Sequence, residues 1–269
     1  MQGLAEYLKE RFPLEVTIPY SLASAALLVS ATINSANHLL TLLLAGCILF
    51  FILRMRVSDE FKDSSHDDKN YPDRPVQRGI ISKKQLIVVG LISFALEITF
   101  AYAAGLAVNN PASAIWYLAV IGFSVLTRFE FFIPKFLDKH FNLYFLSHQA
   151  IFLLYPMWLL AIFQVELNTQ RVAGYAAFIL AMASMEIMRK YEIRRDPEGN
   201  IVLDTYLAVW KSFAFWILLA LSAATSALLY LSSMQPVLAL IGLLAFLAML
   251  YFRNKSESIR IIVAITFLA

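Results

Sequence analysis

Eight apolar stretches, at about 14–33, 37–53, 85–107, 112–127, 143–165, 172–188, 208–231 and 236–252, punctuate this sequence between charged connections. A helix needs roughly 20 mostly apolar residues to cross about 30 Å of hydrocarbon, where every backbone N–H and C=O must be paired within the protein. Runs of this kind predict an all-α polytopic transmembrane bundle. Only 15% of the residues are charged, against about 25% in a soluble domain. A ninth apolar run begins near Ser258 but holds only IIVAITFLA after Arg260, too short to cross. The expectation is a single transmembrane domain over residues 1–269, with about eight or nine spans and no room for a separate soluble domain.

Lys and Arg are retained on the cytosolic side of a membrane. With connections assigned alternately to the two sides, all but one of the 22 Lys and Arg residues fall together, and Arg171 is the exception. One miscounted span would scramble that split, so it supports the span count and a cytosolic N-terminus in an integral multi-pass protein, of the cell membrane in a prokaryote. The opening MQGLAEYLKERFP mixes acidic and basic residues and reads as a cytosolic lead-in helix. The net charge is +3. Its basic residues are neither gathered in a tail nor interleaved with aromatics, which excludes a nucleic-acid surface. Cys47 stands alone in an apolar run and offers neither a disulfide framework nor a metal cluster. Two long charged segments, 54–84 and 189–211, follow the second and sixth spans on the cytosolic side, a spacing that predicts two similar halves around one cavity open to that side.

The first charged segment is the more informative. If the second span continues as a helix, Asp59, Asp63 and Asp67 recur every four residues, Glu60 joins them, and all four carboxylates line one face. Unpaired, such a row repels itself. A hard cation such as Mg²⁺ resolves the conflict, because it takes oxygen ligands and is held by one or two carboxylates plus substrate phosphates. The plainer alternative is a solvated acidic loop balanced by Arg54, Arg56, Lys62 and Lys69.

The string DEFKDSSHD resembles the NDxxDxxxD motif of UbiA-type membrane prenyltransferases. Asp59 stands at the Asn position, Glu60 at the first Asp, and Asp63 and Asp67 at the second and third. The following YPDRPVQRGIIS is similar to that family's PxRPxxxGxIS continuation, through Pro72, Arg74, Pro75, Gly79 and Ser82. The resemblance implies an all-α bundle that uses Mg²⁺ to transfer an isoprenyl group from an isoprenyl diphosphate to a lipophilic or aromatic acceptor at the bilayer. It implies metal ligation by Asp59, Glu60, Asp63 and Asp67, catalytic roles for Asp63 and Asp67, and diphosphate contacts from Lys62 and Arg74. Ionising an allylic C–O bond leaves a diphosphate that cations must neutralise, and a carbocation that needs a dry, apolar lining.

The second segment, SMEIMRKYEIRRDPEGNIVLDTY, departs from the family, whose members carry a second Asp-rich motif such as DxxxD. Here Glu186, Lys190 and Arg194 are expected on one helical stripe, with a basic residue where a carboxylate would stand. At this departure from the family, Lys190, with Arg189 or Arg194, is expected to contact the diphosphate and do part of a second cation's work, a catalytic role, while Glu186 orients it. Asp196 or Asp204 is the alternative source of a displaced carboxylate, which places Glu186 and Asp204 among the candidate metal ligands. The plain reading is a positive-inside loop laced with i,i+4 ion pairs.

Glu97 lies in the middle of the third span, where a charge is costly, so it is expected to face the protein interior, in an acceptor pocket or with a structural partner. Between the fourth and fifth spans, the family resemblance implies a region that helps cover the cavity, with Lys135 or Lys139 a candidate phosphate contact and Tyr144 or His148 an acceptor contact, against the alternative of interfacial anchoring. Three rival readings are kept: alcohol phosphotransfer, whose DxxDGxxAR pattern is absent; a transporter or binding protein; and a family member with altered or lost catalysis.

Overall fold

The computed structural model describes residues 2–35 and 37–233. A short helix α1 (Gln2–Arg11) is followed by α2 (Leu14–Ile33), α3 (His38–Lys62), α4 (Ser64–Asn70), α5 (Lys83–Ala107) and α6 (Ala114–Arg128). After them come α7 (Pro134–Lys139), α8 (Phe141–Gln149), α9 (Leu154–Phe163), α10 (Thr169–Arg189), α11 (Tyr206–Trp210) and α12 (Ser212–Ser233). Among the described residues, seven helical stretches are long and apolar enough to cross a membrane: Leu14–Ile33, His38–Lys62, Lys83–Ala107, Pro111–Arg128, Phe141–Phe163, Thr169–Arg189 and Ser212–Ser232. They coincide with the first seven expected spans. The expected span at 236–252 and the short run after Ser258 lie outside the described residues. Large apolar side chains such as Leu39, Leu42, Leu91, Ile115 and Trp116 are exposed on these spans, as lipid-facing surfaces require. The chain is thus an all-α polytopic helical bundle, an integral multi-pass membrane protein.

The chain divides into two compact units, one of residues 1–26 with 36–165, the other of 27–35 with 166–269. In the first unit, α3 and α5 form the main helix pair. Gly46 lies under the Phe100 ring and Gly90 against Val57, small residues that let the backbones approach where lipid offers no hydrophobic drive between helices. In the second unit α10 packs on α12, and Gly174 meets Ala31 at the end of α2. Arg171, the lone basic residue on its expected side, donates to the carbonyl oxygens of Thr32 (2.9 Å) and Glu166 (2.7 Å). Its charge is thereby spent on backbone carbonyls, including one at the C-terminal end of α2, where the helix dipole favours a cation.

Helix ends are closed by side chains. Asn37 accepts from the Leu40 N–H and Asn168 from the Arg171 N–H. At the head of α5, Ser82 and Gln85 form a reciprocal capping box.

Candidate active site

The first charged segment grows out of α3. Lys62 ends that helix, Asp63 sits at the junction with φ −92° and ψ 7°, and α4 begins at Ser64. The i→i−4 hydrogen bonds run through the junction, from Asp63 N to Asp59 O and from Asp67 N to Asp63 O, both 2.8 Å. The three aspartates therefore follow one another turn by turn, as the sequence spacing requires.

Their charges are handled in two ways. Glu60 is 2% exposed, and its Oε1 accepts from Arg11 Nε of α1 at 2.8 Å. Its Oε2 and the buried Tyr7 hydroxyl have no hydrogen-bond partner among the described residues. Burial and the nearby Glu60 carboxylate push the Tyr7 phenol above its usual range. Asp67, also 2% exposed, is ion-paired with Arg74, whose guanidinium lies 3.9 Å over the Tyr71 ring. Asp59 and Asp63 remain 35% and 45% exposed, with Arg56 and Lys62 at 3.8 Å from them. The repulsion foreseen in a row of four carboxylates is thus relieved by guanidinium groups at its two buried members, while the i,i+4 pair Asp59 and Asp63 is half-exposed with longer ion pairs to Arg56 and Lys62.

Lys62 gathers a second cluster. Its side chain is only 12% exposed, and its ammonium donates to the Tyr144 hydroxyl at 3.1 Å and pairs with Glu130 at 3.2 Å. Tyr144 stacks on His148 with centroids 4.1 Å apart, and His148 meets the edge of Phe131. The chain reaches Glu130 through an unusual turn: Glu130, Phe131 and Phe132 have φ of 48°, 54° and 61°. Left-handed backbone costs a non-glycine residue roughly 1–2 kcal/mol, so three in succession make a strained segment. Lys62, expected as a diphosphate contact, and Tyr144 and His148, expected as acceptor contacts, lie together in one cluster; Lys135 and Lys139 occupy exposed positions of α7.

Glu97 is fully buried and closed. Arg54 holds both of its oxygens, Tyr117 donates to Oε1 at 2.9 Å, and Arg54 also reaches Ser124 at 3.0 Å.

In the second unit, Glu186 receives a two-point contact from Arg189 at 3.0 Å, a bond from Tyr206 at 3.2 Å, and the Lys190 ammonium at 3.8 Å. The expected helical stripe stops here. α10 ends at Arg189, and Arg194 lies in a two-residue strand β1 (Arg194–Arg195) paired antiparallel with β2 (Ile201–Val202). Beyond it the Asp-Pro-Glu-Gly-Asn turn, residues 196–200, folds the chain back so that β1 pairs with β2. Pro197 disfavours helix at Asp196, Gly199 takes φ +88°, and the Asp196 carboxylate accepts from the N–H groups of Glu198 and Asn200. Arg194 instead pairs with Glu192 at 2.5 Å and stands 4.0 Å from Asp204.

With this geometry in hand, the comparison with known families is decisive: the sequence matches the UbiA prenyltransferase family over residues 17–260. The chain belongs to that family. Two solved structures share the UbiA fold. One is an apo UbiA homologue from Aeropyrum pernix K1, at 16% identity and a TM-score of 0.61, covering 95% of this chain and 98% of that one. The other concerns digeranylgeranylglyceryl phosphate synthase in membranes, at 16% identity and a TM-score of 0.55, covering 100% of this chain and 98% of that one. No curated protein matches the chain.

Among the described residues no group of three or more His, Cys, Asp or Glu is arranged to hold a metal ion by itself. Mg²⁺ does not ordinarily ask for one, since one or two carboxylates plus substrate phosphates suffice. The half-exposed pair Asp59 and Asp63 fits that donor set. Glu60 and Asp67, at the first and third Asp positions of the UbiA motif, would each have to give up a guanidinium to join it. Arg11, Arg54 and Glu130 escaped the sequence reading as partners. Arg11 lies 49 residues from Glu60 and Arg54 lies 43 from Glu97, so no local periodicity joins them; Glu130 had one signal, a lone carboxylate in an aromatic run.

Proposed function

We propose that this chain transfers an isoprenyl group from an isoprenyl diphosphate to a membrane-associated lipophilic or aromatic acceptor, with Mg²⁺, on the cytosolic side of the membrane. The observation that carries the reading is the half-exposed Asp59/Asp63 pair, one helical turn apart with the Lys62 ammonium beside it, on the first UbiA motif.

When bound by Asp59 and Asp63 together with phosphate oxygens, Mg²⁺ supplies neutralisation of the charge that collects on the departing diphosphate. Lys62 adds a positive charge on the same face. Arg74 is a further diphosphate cation, oriented by Asp67 on one side and the Tyr71 ring on the other. The allylic C–O bond breaks with its electron pair leaving on the diphosphate; the acceptor then donates a pair to the carbocation and loses its proton. Phe123, Phe131, Tyr144 and His148, in edge and stacked contacts, supply an aromatic surface that withholds water from the cation. Within the second unit, Glu186 holds Arg189 and Lys190 in place by ion pairs.

A family member that binds but does not turn over is the second reading, favoured by the closure of Glu60 and Asp67 with guanidinium groups. The test is incubation of the purified full chain with radiolabelled isoprenyl diphosphates and Mg²⁺, with and without membrane extract as the acceptor source. Pyrophosphate release and labelled product that disappear in Asp63→Ala are expected. Tight binding with no release in any of these mixtures would leave the second reading in its place.

A further inference from the structure

Glu130 is a carboxylate that the proposed reaction does not use, and it sits on the cation that the reaction needs. We propose that Glu130 is the internal counter-ion of Lys62, occupying the ammonium until a diphosphate displaces it, and that the left-handed turn at 130–132 sets how readily it lets go. The inference rests on the reading of Lys62 as a diphosphate cation.

An ammonium has three N–H donors. Here one goes to the Tyr144 hydroxyl at 3.1 Å, Glu130 Oε1 is ion-paired with the ammonium at 3.2 Å, and Asp63 stands farther off at 3.8 Å. With its side chain 12% exposed and lying against the Tyr144 ring, Lys62 offers a new anion little open surface. A diphosphate oxygen that takes this ammonium therefore competes with Glu130, the nearest carboxylate, for it. The replacement is made easy by the backbone that delivers Glu130. Three successive non-glycine residues are held left-handed, two of them phenylalanines. A conformation of that kind persists only when its surroundings hold it. The Phe131 ring, against Phe123 and His148, and the Glu130–Lys62 bond are two of those holds. Losing the second lets the turn relax, so the strain works against the occupied state and in favour of the substrate.

The experiment is calorimetric titration of the detergent-solubilised full chain with inorganic pyrophosphate in the presence of Mg²⁺. Glu130→Gln, which keeps the shape and removes the charge, is expected to bind pyrophosphate about fivefold more tightly, the factor that a modest ion-pair competitor represents. In a Lys62→Met background the same change is expected to give no gain, because the contested cation is gone. Phe132→Gly, which makes left-handed backbone easy at an exposed position, is expected to move affinity the other way by stabilising the occupied state. Unchanged or weaker binding by Glu130→Gln, or a gain that persists without Lys62, overturns the inference. Should Glu130→Gln fail to fold, the sign of the Phe132→Gly effect decides alone: tighter binding overturns it. Wild-type protein that binds no pyrophosphate sinks the proposed function itself, a result distinct from a wild type that binds while Glu130→Gln changes nothing.

Discussion

Arg54 holds both carboxylate oxygens of Glu97, at 2.5 and 3.0 Å, joining α3 to α5 inside the membrane-spanning part of the first unit. Tyr117 completes the acceptor capacity of Oε1, and Ser124 takes another of the guanidinium N–H groups. A charge pair this dry is stable only as a pair. Removing one member strands the other, a loss of about 3–5 kcal/mol, whereas replacing both by apolar side chains is close to neutral. Arg54→Met is accordingly expected to lower the thermal unfolding temperature in detergent sharply, and Arg54→Met/Glu97→Met to recover most of it. Equal losses in the single and double variants would mean that the two residues are not coupled.

The last residue of the PxRPxxxGxIS stretch has a plainly mechanical use. Ser82 accepts from the Gln85 N–H while Gln85 Oε1 accepts from the Ser82 N–H, and Gly79 supplies φ +74° three residues earlier. Ser82→Ala is expected to cost about 1 kcal/mol and Gly79→Ala roughly 1–2 kcal/mol. Denaturant or thermal titration reads both. If Ser82→Ala were silent for stability yet abolished pyrophosphate binding, the residue would belong to substrate recognition instead.

Seven spans and the turn-by-turn spacing of the first motif were legible because both are local. A run of apolar residues declares its length, and Asp59, Asp63 and Asp67 declare their turn-by-turn spacing, whatever surrounds them. What was not legible is how those charges are answered. Arg11 for Glu60 and Arg54 for Glu97 come from helices distant in sequence, and only packing selects them. The stripe drawn through Glu186, Lys190 and Arg194 is broken because α10 ends at Arg189. Past Arg194, Asp-Pro-Glu-Gly-Asn is turn chemistry, legible in the sequence, and it folds Arg194–Arg195 back onto Ile201–Val202.

That turn carries a pH dependence of known sign. Asn200, through its side chain and backbone N–H, holds the Asp196 carboxyl below its ordinary range, with the Glu198 and Gly199 N–H groups contributing. A carboxyl depressed in the folded state contributes stability above its unfolded pKa of about 3.9 and loses it as pH falls through the lower folded value. Amide exchange at Glu198 and Asn200 is therefore expected to accelerate, relative to the intrinsic rate, only in the acid range below that unfolded value. Asn200→Ala is expected to bring the onset to higher pH. An onset unmoved by Asn200→Ala would remove that side chain as the cause.

The division of the four motif carboxylates into a half-exposed pair and a pair closed by guanidinium groups predicts unequal metal affinities. Mn²⁺, as a paramagnetic substitute for Mg²⁺, can be titrated into the purified chain with pyrophosphate present and followed by electron paramagnetic resonance. Asp63→Asn removes half of the half-exposed pair and is expected to weaken Mn²⁺ binding by tenfold or more, on the order of 1.4 kcal/mol. Glu60→Gln is expected to change it by less than about threefold, because Arg11 already occupies that carboxylate at 2.8 Å and the neighbouring charge change is screened. Arg11→Met, which leaves Glu60 buried without its cation, is expected to tighten Mn²⁺ binding or to add a second bound ion. Equal losses in Glu60→Gln and Asp63→Asn would show that metal binding pulls Glu60 away from Arg11, and the closed pair would then be a resting arrangement that the cation opens.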